Sequence, residues 1–362
     1  MEYNEYRRKT HRVRVGGIEI GGTAPVTVQS MTNTDTHDAM ATLSQIRSLA
    51  EAGCDLVRVT APDLDSVDSF RIFKESGIST PIVADIHFDY KIAVAVAKYV
   101  DKIRINPGNI GGRDKIREVV AACREYALPI RIGVNSGSLE KEILRKYGAP
   151  TPEALAESAL YHASLLSDLS FDDIIISVKA SSVQSMIAAN RILAERTDYP
   201  LHLGVTEAGA RDSAVIKSSI GIGTLLAEGI GDTVRVSLTE APEREVKVAR
   251  EILRSLGIAR EGGVNLIACP TCGRTKIDLI KMVEEFERRA HLTGVDRMNI
   301  TVALMGCVVN GPGEAREADV GIAGGGGEGL VFRRGEIIAK VSEAELLDRL
   351  FEEIKTMKGN DN

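Results

Sequence analysis

From Val26 to Leu256 the chain repeats one pattern eight times: a short β-branched run, a polar loop, then a stretch with apolar residues three and four apart. The runs predict strands at Val26–Met31, Leu56–Thr60, Pro81–Ile86, Lys102–Pro107, Pro129–Val134, Asp173–Lys179, Pro200–Glu207 and Thr233–Thr239. Between them, segments such as Leu43–Ala52, Lys115–Tyr126, Ala154–Leu166 and Arg244–Leu256 are long enough for crossover helices. Eight such units in about 230 residues predict a closed (β/α)₈ barrel, a TIM barrel, over 26–258. An open doubly wound sheet is the competing arrangement. Ahead of it, in an N-terminal extension over 1–25, Val13–Ile20 with Gly16 and Gly17 at its centre predicts a hairpin, a candidate plug for the barrel's N-terminal end.

After Leu256 the pattern changes. A glycine-bearing linker, Gly257–Gly263, precedes a strand at Leu266 and Ile267, a helix over Ile277–Ala290 and a strand over Met298–Leu304. A hairpin-like run at Leu330–Val341 and a helix over Glu343–Lys355 follow, and Gly324–Gly327 reads as a flexible loop. These elements predict a second, smaller α+β domain over 264–357.

Alternate residues of a strand share a face. That parity groups Arg58 with Thr60, Asp85 with His87, Arg104 with Asn106, and Arg131 with Gly133 and Asn135. It also groups Ser177 with Lys179, His202 with Gly204 and Thr206, and Arg235 with Ser237, with Val, Ile and Leu opposite them. A barrel interior is ordinarily filled by branched apolar residues. Five cations (Arg58, Arg104, Arg131, Lys179 and Arg235) against Asp85 and Glu207 do not neutralise one another, and a buried charge needs compensation. A small polyanion is the natural guest, arginine offering a bidentate fork to phosphate. Asn106, Asn135, Ser177, Thr206 and Ser237 would add neutral hydrogen bonds. The Pro107–Gly112 loop would add backbone N–H groups. A purely structural ion network is the competing reading.

Charge and composition narrow the partners. The 362 residues carry 45 Lys plus Arg against 51 Asp plus Glu, a net charge of −6, so no broad surface for nucleic acid is expected. No run of about 18 apolar residues predicts a membrane span. Residues 1–9 lack the apolar core of a secretory signal. Five cysteines, an odd number, predict a reducing, cytoplasmic setting.

Cys54 and Cys123 fall in the barrel as small core residues. The other three thiols are Cys269 and Cys272, in a C-x-x-C after a strand, and Cys307 among glycines. Glycine backbone can approach and donate N–H groups to sulfur, which favours an iron–sulfur cluster. Zinc on the three thiols and His291 is the alternative. Three thiols leave a cluster one protein ligand short, so either the fourth ligand is not cysteine or one site is open.

The segments Gln29–Thr34, Ala84–Phe88, Arg104–Asn109, Arg131–Asn135, Val178–Ser181, Leu203–Gly209, Cys269–Cys272 and Gly306–Glu314 together resemble the bacterial 4-hydroxy-3-methylbut-2-enyl diphosphate synthases of the non-mevalonate isoprenoid pathway. The likeness runs from about Arg7 to the final helix. It resembles the short, two-domain form, because only a dozen residues separate Leu256 from Cys269. The resemblance implies one 4Fe-4S cluster on Cys269, Cys272 and Cys307, with Glu314 as a displaceable fourth ligand. It implies reductive opening and dehydroxylation of 2-C-methyl-D-erythritol 2,4-cyclodiphosphate with two electrons from reduced ferredoxin or flavodoxin. By analogy Arg58, Arg104, Arg131, Lys179, Arg235, Asn135, Thr206 and Ser237 hold the diphosphate, while Glu207 and His87 attend the carbon–oxygen chemistry.

Barrel geometry adds an expectation about assembly. The active face of such a barrel lies at the strands' C-terminal ends, whereas the eighth helix ends at the other face. A linker of about nine residues reaches about 30 Å, barely a barrel's height. A homodimer placing each cluster domain over the partner's barrel removes the difficulty. The competing functions are a phosphate-ester- or pterin-acting barrel enzyme with a structural zinc module, and a non-catalytic electron relay. A radical enzyme using S-adenosylmethionine is disfavoured by the missing C-x₃-C-x₂-C spacing.

Overall fold

The computed structural model describes residues 3–259, 263–307 and 316–358. Two compact units divide the chain, Met1–Ala259 and Arg260–Asn362.

In the first unit, β1 (Val13–Val15) and β2 (Ile18–Ile20) form an antiparallel hairpin. Eight parallel strands follow: β3 (Thr27–Met31), β4 (Leu56–Thr60), β5 (Ile82–Asp85), β6 (Lys102–Ile105), β7 (Ile130–Asn135), β8 (Ile174–Lys179), β9 (His202–Leu203) and β10 (Thr233–Val234). Their order, β8-β7-β6-β5-β4-β3-β10-β9, brings the two ends together at a bridge from Ile176 to Leu201. The sheet is therefore a TIM barrel and not an open doubly wound sheet. Several helices between strands start where the sequence supplies a cap: Asp38 accepts from the Ala41 N–H at 2.9 Å and Thr151 from the Ala154 N–H at 3.3 Å.

Strand parity sorts the core into two. Outward residues such as Val57, Val59, Ile103, Ile105, Ile130, Ile132, Ile174 and Ile176 join the large apolar layer under the helices. The inward residues Leu56, Val83 and Ile175, near the strand starts, instead pack with Val13, Val15 and Ile20 of the hairpin. The hairpin thus closes the N-terminal end of the barrel with hydrocarbon, and polar inward residues begin above it.

The last two barrel strands are far shorter than their β-rich runs predict. Past Leu203 the chain meets Gly204, where a Cβ would lie 2.6 Å from the Arg235 carbonyl oxygen. Backbones that converge so closely do not continue a regular ladder, and only isolated bonds follow, such as Thr206 N–H to Ala180 O at 3.2 Å.

The second unit holds a five-stranded sheet: β11 (Asn265–Ala268), β12 (Thr301–Met305) and β13 (Val320–Gly324) run parallel, and β14 (Glu328–Arg333) and β15 (Glu336–Ser342) continue it antiparallel. Strand β13 was absent from the sequence expectation. Helices Leu279–Thr293 and Leu346–Lys358 pack their apolar sides, including Phe286 and Phe351, against Val302, Leu304, Val320 and Ile322. Ala303, Met305, Ala323 and Phe332 form a smaller cluster on the opposite face, beside Cys269. No helix among the described residues is long and apolar enough to cross a membrane.

Candidate active site

Above the hydrocarbon floor the barrel strands turn charged side chains inward, and Asp85 organises them. It is fully buried, with Oδ2 2.6 Å from Arg58 Nη2 and Oδ1 3.0 Å from Arg104 Nη1. Burial alone would raise its carboxyl, but Arg58 and Arg104 outweigh that and hold it below the usual carboxylate range. Arg104 fits because its neighbour is Gly133: a Cβ there would strike the guanidinium.

A second carboxylate serves Arg235. Its Nη2 lies 3.2 Å from Glu245 Oε1, and Glu245 Oε2 also accepts from the Ser30 hydroxyl at 2.8 Å. Glu245, from the first turn of helix Pro242–Ser255, takes the counter-ion role that the sequence reading gave to Glu207. Glu207 instead sits exposed in a turn beyond β9 with φ +50° and makes no ion pair among the described residues.

Three inward cations keep no carboxylate partner among the described residues. Arg131 is buried, and its Nε and Nη2 donors meet nothing. Burial and the neighbouring guanidiniums pull it downward, yet a guanidinium starts so high that it stays charged. Lys179 ends β8 among Arg235, Arg131, Arg58 and Arg104, and Gly204 leaves room for it, a Cβ there falling 3.1 Å from its Nζ. Lys102, which the sequence reading passed over, is wholly buried with its Nζ unpartnered. Its parity with Arg104 on β6 was the available signal.

The remaining candidates take graded positions. Asn106 and Ser177 are buried, while Asn135, Thr206 and Ser237 are half-buried. Asn106 also corrects an expectation: its Oδ1 accepts from the Gly108 N–H and its carbonyl from those of Asn109 and Ile110. These three loop donors are spent internally and are not available to an anion. His87 is exposed on one side. Burial of the other, with Arg104 and Arg58 nearby, outweighs Asp85 and lowers its pKa, leaving the ring neutral. Its Nε2 lies 3.3 Å from Arg104 Nη1 and accepts from it. His202 is buried with Nδ1 3.3 Å from the Thr233 hydroxyl.

The five cysteines divide as their surroundings dictate. Burial pushes Cys54 and Cys123 up to about 12, leaving both as inert thiols. Cys269 and Cys307 follow the ends of neighbouring parallel strands, β11 and β12. The Gly306 N–H donates to Cys269 Sγ at 3.3 Å. Cys272 lies exposed past Thr271, which holds φ +56°. The Arg274 N–H donates to Cys272 Sγ at 3.5 Å and, first among several contacts, lowers its pKa. No three His, Cys, Asp or Glu side chains among the described residues converge on a metal-sized point. Glu314 and the rest of its motif from residue 308 lie outside the described residues. His291 does not face the thiols as a zinc ligand: it is exposed, with Nδ1 2.9 Å from Asp296 Oδ2.

Comparison with known proteins matches each of the two units. Residues 10–250 match the GcpE TIM-barrel domain and residues 265–356 the GcpE protein C-terminal domain. The 4-hydroxy-3-methylbut-2-en-1-yl diphosphate synthase (flavodoxin) of Clostridium perfringens is 57% identical over 352 residues, covering 97% of this chain and 99% of its own. The enzyme of the same name from Geobacter sulfurreducens is 57% identical over 350 residues, 96% of this chain and 98% of its own. Among solved structures, a dihydropteroate synthase from Stenotrophomonas maltophilia matches 67% of this chain and 97% of its own with a TM-score of 0.49 and 12% identity. With both units matched and more than half of its residues shared along nearly its whole length, the chain belongs to the GcpE family.

Proposed function

We propose that the chain converts 2-C-methyl-D-erythritol 2,4-cyclodiphosphate to (E)-4-hydroxy-3-methylbut-2-en-1-yl diphosphate, an oxidoreductase reaction in which two electrons and two protons enter and one water leaves. The observation that carries the reading at the level of residues is the surplus of inward cations over Asp85 and Glu245. Arg131 and Lys179 stand buried with no carboxylate partner among the described residues. A diphosphate supplies the missing negative charge, and buried guanidinium donors are suited to bind it in pairs. In this reading Arg58, Arg104, Arg131, Lys179 and Arg235 hold the phosphates. Asn106, Asn135, Ser177, Thr206 and Ser237 complete their hydrogen bonds. Fixing the diphosphate there orients the carbon skeleton toward the mouth and makes the following encounter effectively intramolecular.

Glu207 and His87 stand at that mouth. Glu207, unpaired among the described residues, moves a proton at the substrate oxygen that departs. His87, neutral and steered by Arg104, donates a hydrogen bond to the same region. Cys269, Cys272 and Cys307 would hold a 4Fe-4S cluster, with Glu314 as fourth ligand. The donor chemistry fits, because backbone N–H groups of Gly306 and Arg274 already point at two of the sulfurs. When bound, such a cluster supplies low-potential electrons and a Lewis-acidic iron for removing oxygen. Flavodoxin, which the relatives' enzyme names carry, is the electron donor in this reading, and a homodimer in the cytoplasm brings each thiol unit to the partner's barrel. A zinc module is not favoured, since the relatives that match nearly the whole chain are named as flavodoxin-dependent synthases.

The test is an anaerobic assay of the purified full chain with the cyclic diphosphate and a chemical reductant, alongside iron and sulfide analysis. The expected result is a brown protein with about four irons per chain and reductant-dependent turnover. A colourless protein carrying zinc, or one indifferent to the cyclic diphosphate, overturns it.

A further inference from the structure

Lys102 opens β6, shares the inward face with Arg104 and is fully enclosed. The charged and titratable groups around it come from several strands. Arg131 of β7 and Arg58 of β4 act on it directly as like charges, and its charge in turn is felt by His202 of β9. Lys179 of β8 and Arg104 of its own strand extend the same positive field. On β5 its register partner is the apolar Val83, and the carboxylate one step further, Asp85, is engaged on both oxygens by Arg58 and Arg104. Glu245 is engaged by Arg235 and Ser30. The Lys102 Nζ, like Arg131 Nη2, His202 Nε2 and the Gln29 amide, has no hydrogen-bond partner among the described residues.

An ammonium in that position faces burial and like charge with nothing to offset either. Burial pushes Lys102 well below the usual lysine value, and Arg131 and Arg58 push it further. Unlike a guanidinium, an amine can answer this by giving up its proton. A polyanion arriving above Arg131 reverses the field. We propose that Lys102 is a further determinant of anion binding in the barrel, an amine that is neutral beforehand and gains a proton as the anion enters, so that binding and proton uptake are coupled. The proposal rests on the diphosphate reading of the barrel mouth.

Inorganic pyrophosphate binding to the cluster-loaded full chain tests it, measured by calorimetry in buffers of different ionisation heat from pH 7 to 9. Lys102→Met keeps the length and loses the titration. The wild-type chain should take up about one proton more per pyrophosphate than Lys102→Met. It should bind about ten-fold more tightly at pH 7.5, with an affinity that falls more steeply as pH rises. The same proton count and the same affinity in both chains overturn the role of Lys102 while leaving the diphosphate site intact. Failure of the wild-type chain to bind pyrophosphate removes the site reading and this proposal with it, whereas loss of binding in Lys102→Met alone supports the role of Lys102. Should the variant not fold, carbon-13 NMR of lysine Cε in the wild-type chain decides. A neutral lysine that becomes charged on adding pyrophosphate supports the coupling, and no lysine changing its protonation overturns it.

Discussion

The barrel mouth and the thiol-bearing unit are built on opposite plans. In the barrel the inward cations stand on strands or just past their ends and are buried or half-buried, with Asp85 and Glu245 fixing three arginines at 2.6–3.2 Å. In the second unit Cys269, Cys272 and Cys307 stand just past strand ends, with Cys272 exposed on a turn held by Thr271 at positive φ. The difference follows from the charge each carries before any ligand arrives. A guanidinium cannot discharge itself, so folding pairs Arg58, Arg104 and Arg235 with carboxylates at once and leaves Arg131 charged for the ligand. A thiol is neutral until it binds, so it costs little to leave on a loop.

Five experiments sharpen or break this contrast, the largest effect first. Cys307→Ser should bring turnover to background while pyrophosphate affinity changes by less than about two-fold; a parallel loss of affinity would show that the two sites are not separable. Asp85→Asn should destabilise the barrel by about 3–5 kcal/mol in urea unfolding, since two guanidiniums lose a buried counter-charge. The sign of its pH dependence is fixed. The folded-state value lies below the unfolded one, so the carboxylate's contribution is fully present above about pH 4 and is lost as pH falls through the depressed value. A wild-type advantage over Asp85→Asn that does not shrink between pH 5 and pH 2 would contradict that.

Ile20→Ala should cost about 2–5 kcal/mol through the cavity left in the hairpin plug, with pyrophosphate affinity unchanged. Gly133→Ala should cost about 1–3 kcal/mol and also weaken pyrophosphate binding, because the methyl displaces the Arg104 guanidinium. Wild-type affinity in that variant would remove Arg104 from the cradle. The smallest effect is chemical. After chelation, iodoacetamide at pH 8 should modify Cys269, Cys272 and Cys307 but spare Cys54 and Cys123, whose thiols burial holds near 12. Rapid labelling of Cys54 would show an open barrel wall.

What could be read from the sequence follows the same division. Period-two alternation with Val and Ile on the outer face exposed the inward arginines of β4, β6 and β7, because each strand there is long enough to keep its parity. The reading failed where the cause is not periodic. Glu245 reaches the site from a helix, and an acid in a helical first turn reads as a complement to the macrodipole. Lys102 was passed over because it lies where barrel strands usually begin with hydrocarbon. Pro200–Glu207 has strand composition, but the crossing at Gly204 ends the ladder after two residues. Strand β13, Val320–Gly324, was diluted by its glycines, of which Gly321 is needed because Phe332 occupies the space above it.

The hydrocarbon stopper formed by Val13, Val15 and Ile20 makes the cylinder a blind tube. Whatever enters must leave through the same doorway, so product departure and substrate arrival compete for one passage. Any body that shuts this entrance during chemistry has to withdraw once in every catalytic cycle.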